Sequence, residues 1–475
     1  MLVRDIKRLA LFVVPLILLL LITYGLWDPE TSEQLRSHAS AFLGKSAAPE
    51  ADQAPLEQPP PPPPPPPPPS PPPLAPPSNP HSPATGSGSG GKIELPAGED
   101  NDATHHQLFS LSTEDRKYFP VKFGNESAFN PNILPHPTRD GTYVIVGQKA
   151  STDSDPNGVF FEIACAAAFK DGLLQCLEEA PIRLPIAPTN TSDADKCKGD
   201  LLTLLLMNQG PHDARVVYGP EKPYIIYGSN SGFTCFGMWI QDFNALADWG
   251  TGTLGKGDFA EATELQRPVP WSAVEKNWFV FWDKDGQAYA HYDAVPSRSF
   301  AQLRPNGSVG PNLGPFAAEQ DEKCLTHYLP KLPPKNEDIH QATNSLRITM
   351  CKRADKDCKA DDTNTFVVAI IQHKTWYNFH GEYEPYAMVF RERSPFEVYA
   401  ISKKPLWIHG RERRFDNTTD MVYVVGMNWK EKGLNYHGYL DDELFLTFGV
   451  DDKRAGGIDI LASDLLTGLG LCSDV

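Results

Sequence analysis

The chain has 475 residues, with 60 acidic and 43 basic side chains and a formal net charge of -17. That balance excludes a nucleic-acid binder, which needs a basic face to neutralise phosphates. Wholesale disorder is excluded by 40% hydrophobic and 10% aromatic content. The anomaly is proline, with 46 in all: 20 lie between Pro49 and Pro83, eleven of them unbroken from Pro59 to Pro69.

Residues 1–8 read as a cytosolic tail and residues 9–27 as a transmembrane signal anchor. Leu9 to Trp27 is apolar apart from Pro15, Thr23 and Gly25, and 19 residues of helix reach about 28 Å, close to a bilayer's hydrocarbon core. Arg4, Lys7 and Arg8 precede the run while Asp28 and Glu30 follow it. The positive-inside bias therefore predicts a single-pass type II topology, with the rest of the chain in the lumen of the secretory pathway, of Golgi type, or at the cell surface. A cleaved signal peptide is the competing reading, but the run ends in Tyr24-Gly25-Leu26-Trp27 rather than in small residues.

Residues 28–107 form a stalk rich in Pro, Gly and Ser, too poor in apolar residues to fold. Its proline tract predicts polyproline II, spanning about 100 Å, followed by the flexible run Gly86–Gly91. A ligand for SH3-like domains is the alternative, but those readers are cytosolic.

From residue 108 to 475 short β-rich runs recur with turn signals between them. They include Thr142–Gln148, Val216–Val217, Tyr224–Tyr227, Trp278–Trp282, Gln287–Tyr292, Phe366–Gln372, Tyr386–Arg391, Val398–Ile401, Met421–Val425 and Glu443–Phe448. One short helix is expected near Leu461–Leu469. The class is all-β, and the length and spacing suit a propeller of four-stranded blades.

Eight cysteines predict disulfides. Cys165 and Cys176 flank Asp171-Gly172 as hairpin partners would, and Cys351 and Cys358 bracket a short charged loop. These spacings do not suit zinc. The sequons at Asn125, Asn190, Asn306 and Asn417 all lie beyond the anchor.

No Gly-x-Ser-x-Gly, Walker, dinucleotide or His-Glu-x-x-His motif occurs. Three polar clusters at strand ends remain. In Gly210-Pro211-His212-Asp213-Ala214-Arg215, an Asp and an Arg two apart share one side of a strand. They suit proton transfer beside an oxyanion, or else a structural ion pair at a turn. In Glu275-Lys276-Asn277-Trp278, Lys276 could hold a phosphate and Trp278 could stack on a sugar; the plain reading is a solvated strand start. In Tyr439-Leu440-Asp441-Asp442, one of the two carboxylates is expected to reach a pocket, whereas Asp451-Asp452 reads as an exposed turn. Asp283-Lys284-Asp285-Gly286 resembles an Asp-x-Asp metal motif but reads as a hairpin turn.

The order of Asn130-Pro131-Asn132-Ile133, Asp213-Ala214-Arg215 and Glu275-Lys276-Asn277-Trp278 resembles the five-bladed propellers of glycoside hydrolase family 130, the mannoside phosphorylases, and related β-mannosyltransferases. The closing Tyr439-Leu440-Asp441-Asp442 and Gly449-Val450-Asp451-Asp452 resemble an uncharacterised fungal membrane-anchored branch. The resemblance spans roughly Phe129 to Cys472. It implies a five-bladed β-propeller with Asp213 as the single catalytic acid of a Glu-Asp-Pro-Arg motif, in which His212 replaces the Glu and Ala214 the Pro. A second alignment, on Gly219-Pro220-Glu221-Lys222-Pro223, puts Lys222 where the Asp belongs. The function implied is luminal glycosyl transfer, of mannose to a glycan, from a sugar nucleotide or sugar phosphate. Arg215, Lys276, Asn277, Trp278, Tyr439, Asp441 and Asp442 would bind substrate, and no metal or other cofactor is firmly implied. Phosphorolysis or hydrolysis on the same fold, or a silent glycan-binding or scaffolding propeller, are the alternatives.

Overall fold

In the computed structural model the described residues are 104–475, apart from 153–154, 157, 188, 190–193, 200–201, 206–208, 253–254, 256, 334–335, 378–379 and 415–417. The anchor expected at 9–27, nearly all of the stalk, and the sequons at Asn190 and Asn417 lie outside them. Among the described residues no helix is long and apolar enough to cross a membrane.

The described chain is a succession of antiparallel meanders. The first contains Ala128–Pro135, Tyr143–Lys149, Glu162–Lys170 and Leu173–Cys176, and the second His212–Tyr218, Pro223–Asn230, Phe236–Asp242 and Thr263–Glu264. A third follows with Phe279–Trp282, Ala288–Asp293 and Ser299–Gln302. The fourth is built on Leu346–Thr349, Thr365–Tyr377, His380–Arg391 and Val398–Ser402; the fifth on Val422–Trp429, Glu443–Val450 and Arg454–Leu461. Many strands are apolar without alternation: Phe279–Trp282 is buried at every position, as is Phe366–Ile371. Continuous burial of this kind arises when both faces of a sheet are covered.

Local chemistry sets the hairpins. Asp171 and Gly172 both take positive φ, 52° and 76°, as a two-residue hairpin turn requires. The turn puts Ala167 opposite Cys176, and Cys165, diagonally placed, closes a disulfide with Cys176. Cys351–Cys358 also forms, together with Cys197–Cys235 and Cys324–Cys472, so no cysteine is free.

Both ends of the described chain are woven in. His106–Leu108 lies parallel to Leu406–Ile408, so regular structure begins within the stretch expected to be stalk. Phe119–Lys122 pairs antiparallel with Gly456–Gly457 of the fifth meander and parallel with Leu174–Gln175 of the first. The early strand thereby joins the last meander to the first in one sheet. A Cβ on Gly457 would lie 2.7 Å from the Phe119 ring, so only glycine admits this closure. At the other end Leu469–Leu471 adds to Val398–Ser402, and Cys324–Cys472 ties the chain end to the helix Ala318–Tyr328. That 11-residue helix is a departure from expectation, while the helix near Leu461–Leu469 is a single turn, Ala462–Leu465.

The first strands of the meanders come together, Ala128–Pro135 against His212–Tyr218 and both against Val422–Trp429. They belong to different meanders and form no regular ladder with one another; buried carboxamides bridge them instead. Asn132 donates to Ala214 O (2.7 Å) and accepts from Val216 N (2.9 Å). Asn344 donates to Met427 O (2.8 Å) and accepts from Met427 N (2.9 Å). Gln372 does the same with Val424, at 3.4 and 3.0 Å, and Asn428 donates to Val216 O at 2.9 Å. A side-chain amide offers the donor and acceptor pair of a peptide group, so it completes a ladder that backbone alone cannot reach.

Asn132→Ala would leave Val216 N–H and Ala214 C=O buried without partners. It is expected to cost about 2–4 kcal/mol, read by urea denaturation, whereas Asn306→Ala on an exposed turn should stay within about 0.5 kcal/mol. Equal midpoints for the two variants would contradict the bridging role.

Candidate active site

In a meander, the start of the first strand and the turn between the second and third strands share one end. At that end six described residues other than glycine take left-handed φ: Asn130 (50°), Asp213 (49°), Asn277 (61°), Asn336 (69°), Asp451 (54°) and Asp452 (49°). Asn and Asp tolerate this region best, but each still costs on the order of 1 kcal/mol, and such strain gathers where function demands a particular geometry.

Asp213 sits in a bulge, the register with Pro223–Asn230 shifting between His212 and Arg215. Three of its polar atoms are held. Its N–H donates to Gln148 Oε1 (2.9 Å), its carbonyl accepts from Arg215 Nη1 (3.0 Å), and its Oδ1 accepts from Asn130 Nδ2 (2.7 Å). The next N–H, of Ala214, donates to Glu162 Oε1 (3.3 Å). Among the described residues nothing donates to Asp213 Oδ2. The carboxylate is thus fixed in place with one oxygen free.

Three further charged side chains lie within its electrostatic reach or its neighbours'. Burial lowers the Lys276 ammonium; the charge of Asp213 opposes this, as do Asp338 and Asp452, while Arg215 adds to it. Lys374 is brought down to about 8, by burial and then by the charge of Lys276, with Asp338 opposing. Asp452 is pushed up to about 6, by burial first, then by Asp213 and Asp451, against Lys276. Water reaches Asp452 and, in part, Lys276, while neighbouring atoms still desolvate both. Tyr383 and Tyr423 complete the group: their rings lie 4.9 Å apart, and Tyr423, pushed up to about 12 by burial, feels both Asp213 and Asp452. Behind Asp213, burial holds Glu162 well above the carboxylate range and His212 below its usual value. The His212 ring packs 4.1 Å from Phe160 and 5.5 Å from Phe236.

The structure brings together Asp213, Arg215, Lys276 and Asn277 of the expected residues, but not all in the expected manner. Arg215 is 1% exposed. Its guanidinium donates to Ala342 O (2.7 Å), to Asp213 O, and to Asn277 Oδ1 (3.0 Å) and the Tyr423 hydroxyl (3.4 Å). It braces the bulge and, being buried, is not presented to a phosphate. Trp278 is also 1% exposed, packed edge-on to Tyr292 with its indole N–H on Glu275 (3.2 Å). It offers no face to a sugar. Tyr439, Asp441 and Asp442 lie between the first and second strands of the fifth meander, the end opposite Asp213. There Asp441 accepts from Arg353 and Ala354 N–H (2.6 and 3.1 Å), Asp442 pairs with the Arg353 guanidinium (2.7 Å), and that guanidinium covers the Tyr439 ring at 4.3 Å. The three hold the Cys351–Cys358 loop. Asp283–Gly286 is the hairpin turn expected, Asp283 accepting from Asp285 and Gln287 N–H (3.0 and 2.9 Å).

Sequence reasoning missed Lys374, Tyr383 and Asp452. Asp451-Asp452 is indeed a turn, but one between second and third strands, so it falls at the Asp213 end. The same parity marks Lys374 and Tyr383, which are paired across the tip of the Thr365–Tyr377 and His380–Arg391 hairpin. Among the described residues no group of three or more His, Cys, Asp or Glu is arranged to hold a metal ion.

The Asp452 shift has a consequence for stability. With about 6 in the fold against an ordinary 3.8, folding takes up a proton between those values, so stability falls as pH rises through that window. Asp452→Asn removes the effect. The variant should match the parent near pH 4 and exceed it near pH 7 by about 1 kcal/mol, solvent access cutting the full-shift figure. Denaturation at the two pH values checks this; a variant less stable at pH 7 would contradict it.

No family model matches the sequence, nor does any curated protein. Among solved structures the chain resembles propeller glycoside hydrolases and phosphorylases. One is a β-1,2-mannobiose phosphorylase from Listeria innocua in complex with β-1,2-mannobiose, at 14% identity over 76% of this chain and 96% of that one, TM-score 0.40. Others, both from Leishmania mexicana, are a mannose phosphorylase in complex with phosphate ion (12% identity, 75% and 93% covered, TM-score 0.36) and a GDP-Man-dependent mannosyltransferase (11%, 72% and 88%, 0.34).

Proposed function

We propose that the chain is a glycan-processing enzyme on a five-bladed β-propeller, transferring a mannosyl residue from a phosphorylated donor to a glycan hydroxyl. The observation that carries this reading is the free Oδ2 of Asp213, held in a strained bulge beside the Lys276 ammonium. In the transfer the acceptor oxygen attacks the anomeric carbon as the bond from that carbon to the phosphate oxygen breaks. The acceptor's proton passes to Asp213 Oδ2. Negative charge gathers on the departing phosphate, where Lys276 stabilises it.

The setting we propose is the lumen of the secretory pathway, with residues 9–27 as anchor and 28–107 as spacer. Four disulfides with no free cysteine support an oxidising compartment, and the sequons at Asn125 and Asn306 are exposed.

The test uses the purified full-length chain with sugar nucleotides or mannose 1-phosphate as donor and manno-oligosaccharides as acceptor, with and without orthophosphate. Asp213→Asn is expected to lower kcat by about 10²–10⁴-fold, and Lys276→Met to lower kcat/KM for the charged donor, both with parent-like melting. Turnover of Asp213→Asn at the parent rate, or none by the parent with any donor, would overturn the proposal. Release of mannose 1-phosphate from the oligosaccharide in the presence of orthophosphate and without added donor would assign phosphorolysis instead.

A further inference from the structure

The second meander's turn between its second and third strands, Ser231–Cys235, falls at the Asp213 end by the parity that places Asp452 there. It carries Phe233, 45% exposed. The Phe233 ring lies against Trp271, centroids 5.4 Å apart and planes 15° from parallel, and Val269, two residues before Trp271, is 83% exposed. Trp271 in turn packs 6.0 Å from Trp278, two residues beyond Lys276. A stacked aromatic pair, with one outer face available, is therefore joined through Trp278 to the segment that carries Lys276.

This surface is built rather than loose. Glu264 accepts from Ser231 Oγ and from Gly232 N (3.0 Å), and Ser231 Oγ accepts from the N–H groups of Phe233 (3.0 Å) and Thr234 (2.9 Å). Thr234 Oγ1 reaches Ala273 O at 3.0 Å, and Cys235 N donates to the same carbonyl at 3.2 Å. Cys235 is disulfide-bonded to Cys197, and Glu275 N–H donates to Phe236 O at 2.8 Å. The turn and the segment that delivers Lys276 are thus one rigid piece, with the rings' orientation set before any ligand arrives.

We propose that Phe233 and Trp271 form a stacking subsite for a pyranose ring of the acceptor glycan, one or more sugar units out from the unit that reacts at Asp213. The inference rests on the transferase reading. Two rings and a valine are far smaller than the roughly 800 Å² per partner of a stable protein interface. They match the apolar face of one sugar, whose C–H groups pack on an aromatic plane while its hydroxyls stay in water. The consequence is a preference for oligosaccharide over monosaccharide acceptors.

The experiment titrates the full-length Asp213→Asn protein, whose turnover is slowed, with linear α- and β-linked mannose oligomers of one to five units in the absence of donor. Tryptophan fluorescence and calorimetry report affinity, and GDP-mannose and GDP serve as comparison ligands. Affinity is expected to tighten with chain length. Phe233→Ala and Trp271→Ala should each weaken the longer oligomers about two- to tenfold, Trp271→Phe should restore most of the loss, and all three should melt as the parent does. In the active chain the alanine variants should raise KM for long acceptors. Affinity independent of length, parent-like affinity in both alanine variants, or a loss confined to the GDP ligands would overturn the proposal. Parent-rate turnover by Asp213→Asn would sink the transferase reading while length-dependent binding kept the subsite. Confirmed turnover with unaltered binding in the alanine variants would sink the subsite alone.

Discussion

A peptide group buried between strands that cannot ladder must still find a hydrogen-bond partner, and in this protein side-chain amides supply it. Val216 shows the requirement best: its N–H goes to Asn132 and its carbonyl to Asn428, residues from the first and fifth meanders. One residue of the second meander is thus clasped from both sides. Asn344 and Gln372 do the same work between the fourth and fifth. Without these amides the inner strands would carry a row of unsatisfied groups at the most buried point of the fold, each costing about 1–3 kcal/mol. With them, the meanders are held at fixed angles to one another, and what stands at their ends is held too.

The site inherits that rigidity. Asn130 and Asn132 are two residues apart: Asn132 binds the strand of Asp213, and Asn130 binds its carboxylate. Arg215, whose charge would serve a ligand if it were exposed, is given over wholly to bracing the bulge. The result is a carboxylate, two amines and a second carboxylate brought into mutual electrostatic reach and partly desolvated. That arrangement disfavours the folded state, since burial opposes the charge on Lys276, Lys374 and Asp452 alike. Structures keep such costs where chemistry uses them.

Much of this was legible in the residues. Strand positions, the Asp171-Gly172 hairpin and the pairing of Cys165 with Cys176 follow from local rules: apolar runs, turn chemistry and symmetric spacing. The prominence of Asp213, Lys276 and Asn277 followed from polar residues standing at strand entries. What escaped needed non-local knowledge. Trp278 carries no mark of the Tyr292 and Glu275 partners that bury it. Asp441-Asp442 and Asp451-Asp452 read alike as letters, and only the alternation of strand direction sends the first pair to the far end and the second to the site. The long hairpin bearing Lys374 and Tyr383 read as two shorter runs, because its polar tip breaks the apolar pattern. The helix Ala318–Tyr328 is short and mostly polar, and its place depends on a disulfide 148 residues long in sequence.

The central claim is that Asp213, Lys276 and Asp452, from three different meanders, form one charged centre. The most direct measurement is the titration of Asp452 followed by carboxyl ¹³C NMR in the parent and in Asp213→Asn. Asp213 is the largest single charge raising Asp452 toward its value of about 6, so removing it should lower the Asp452 midpoint clearly, toward the ordinary carboxylate range. An unchanged midpoint would mean that the two carboxylates do not share a site.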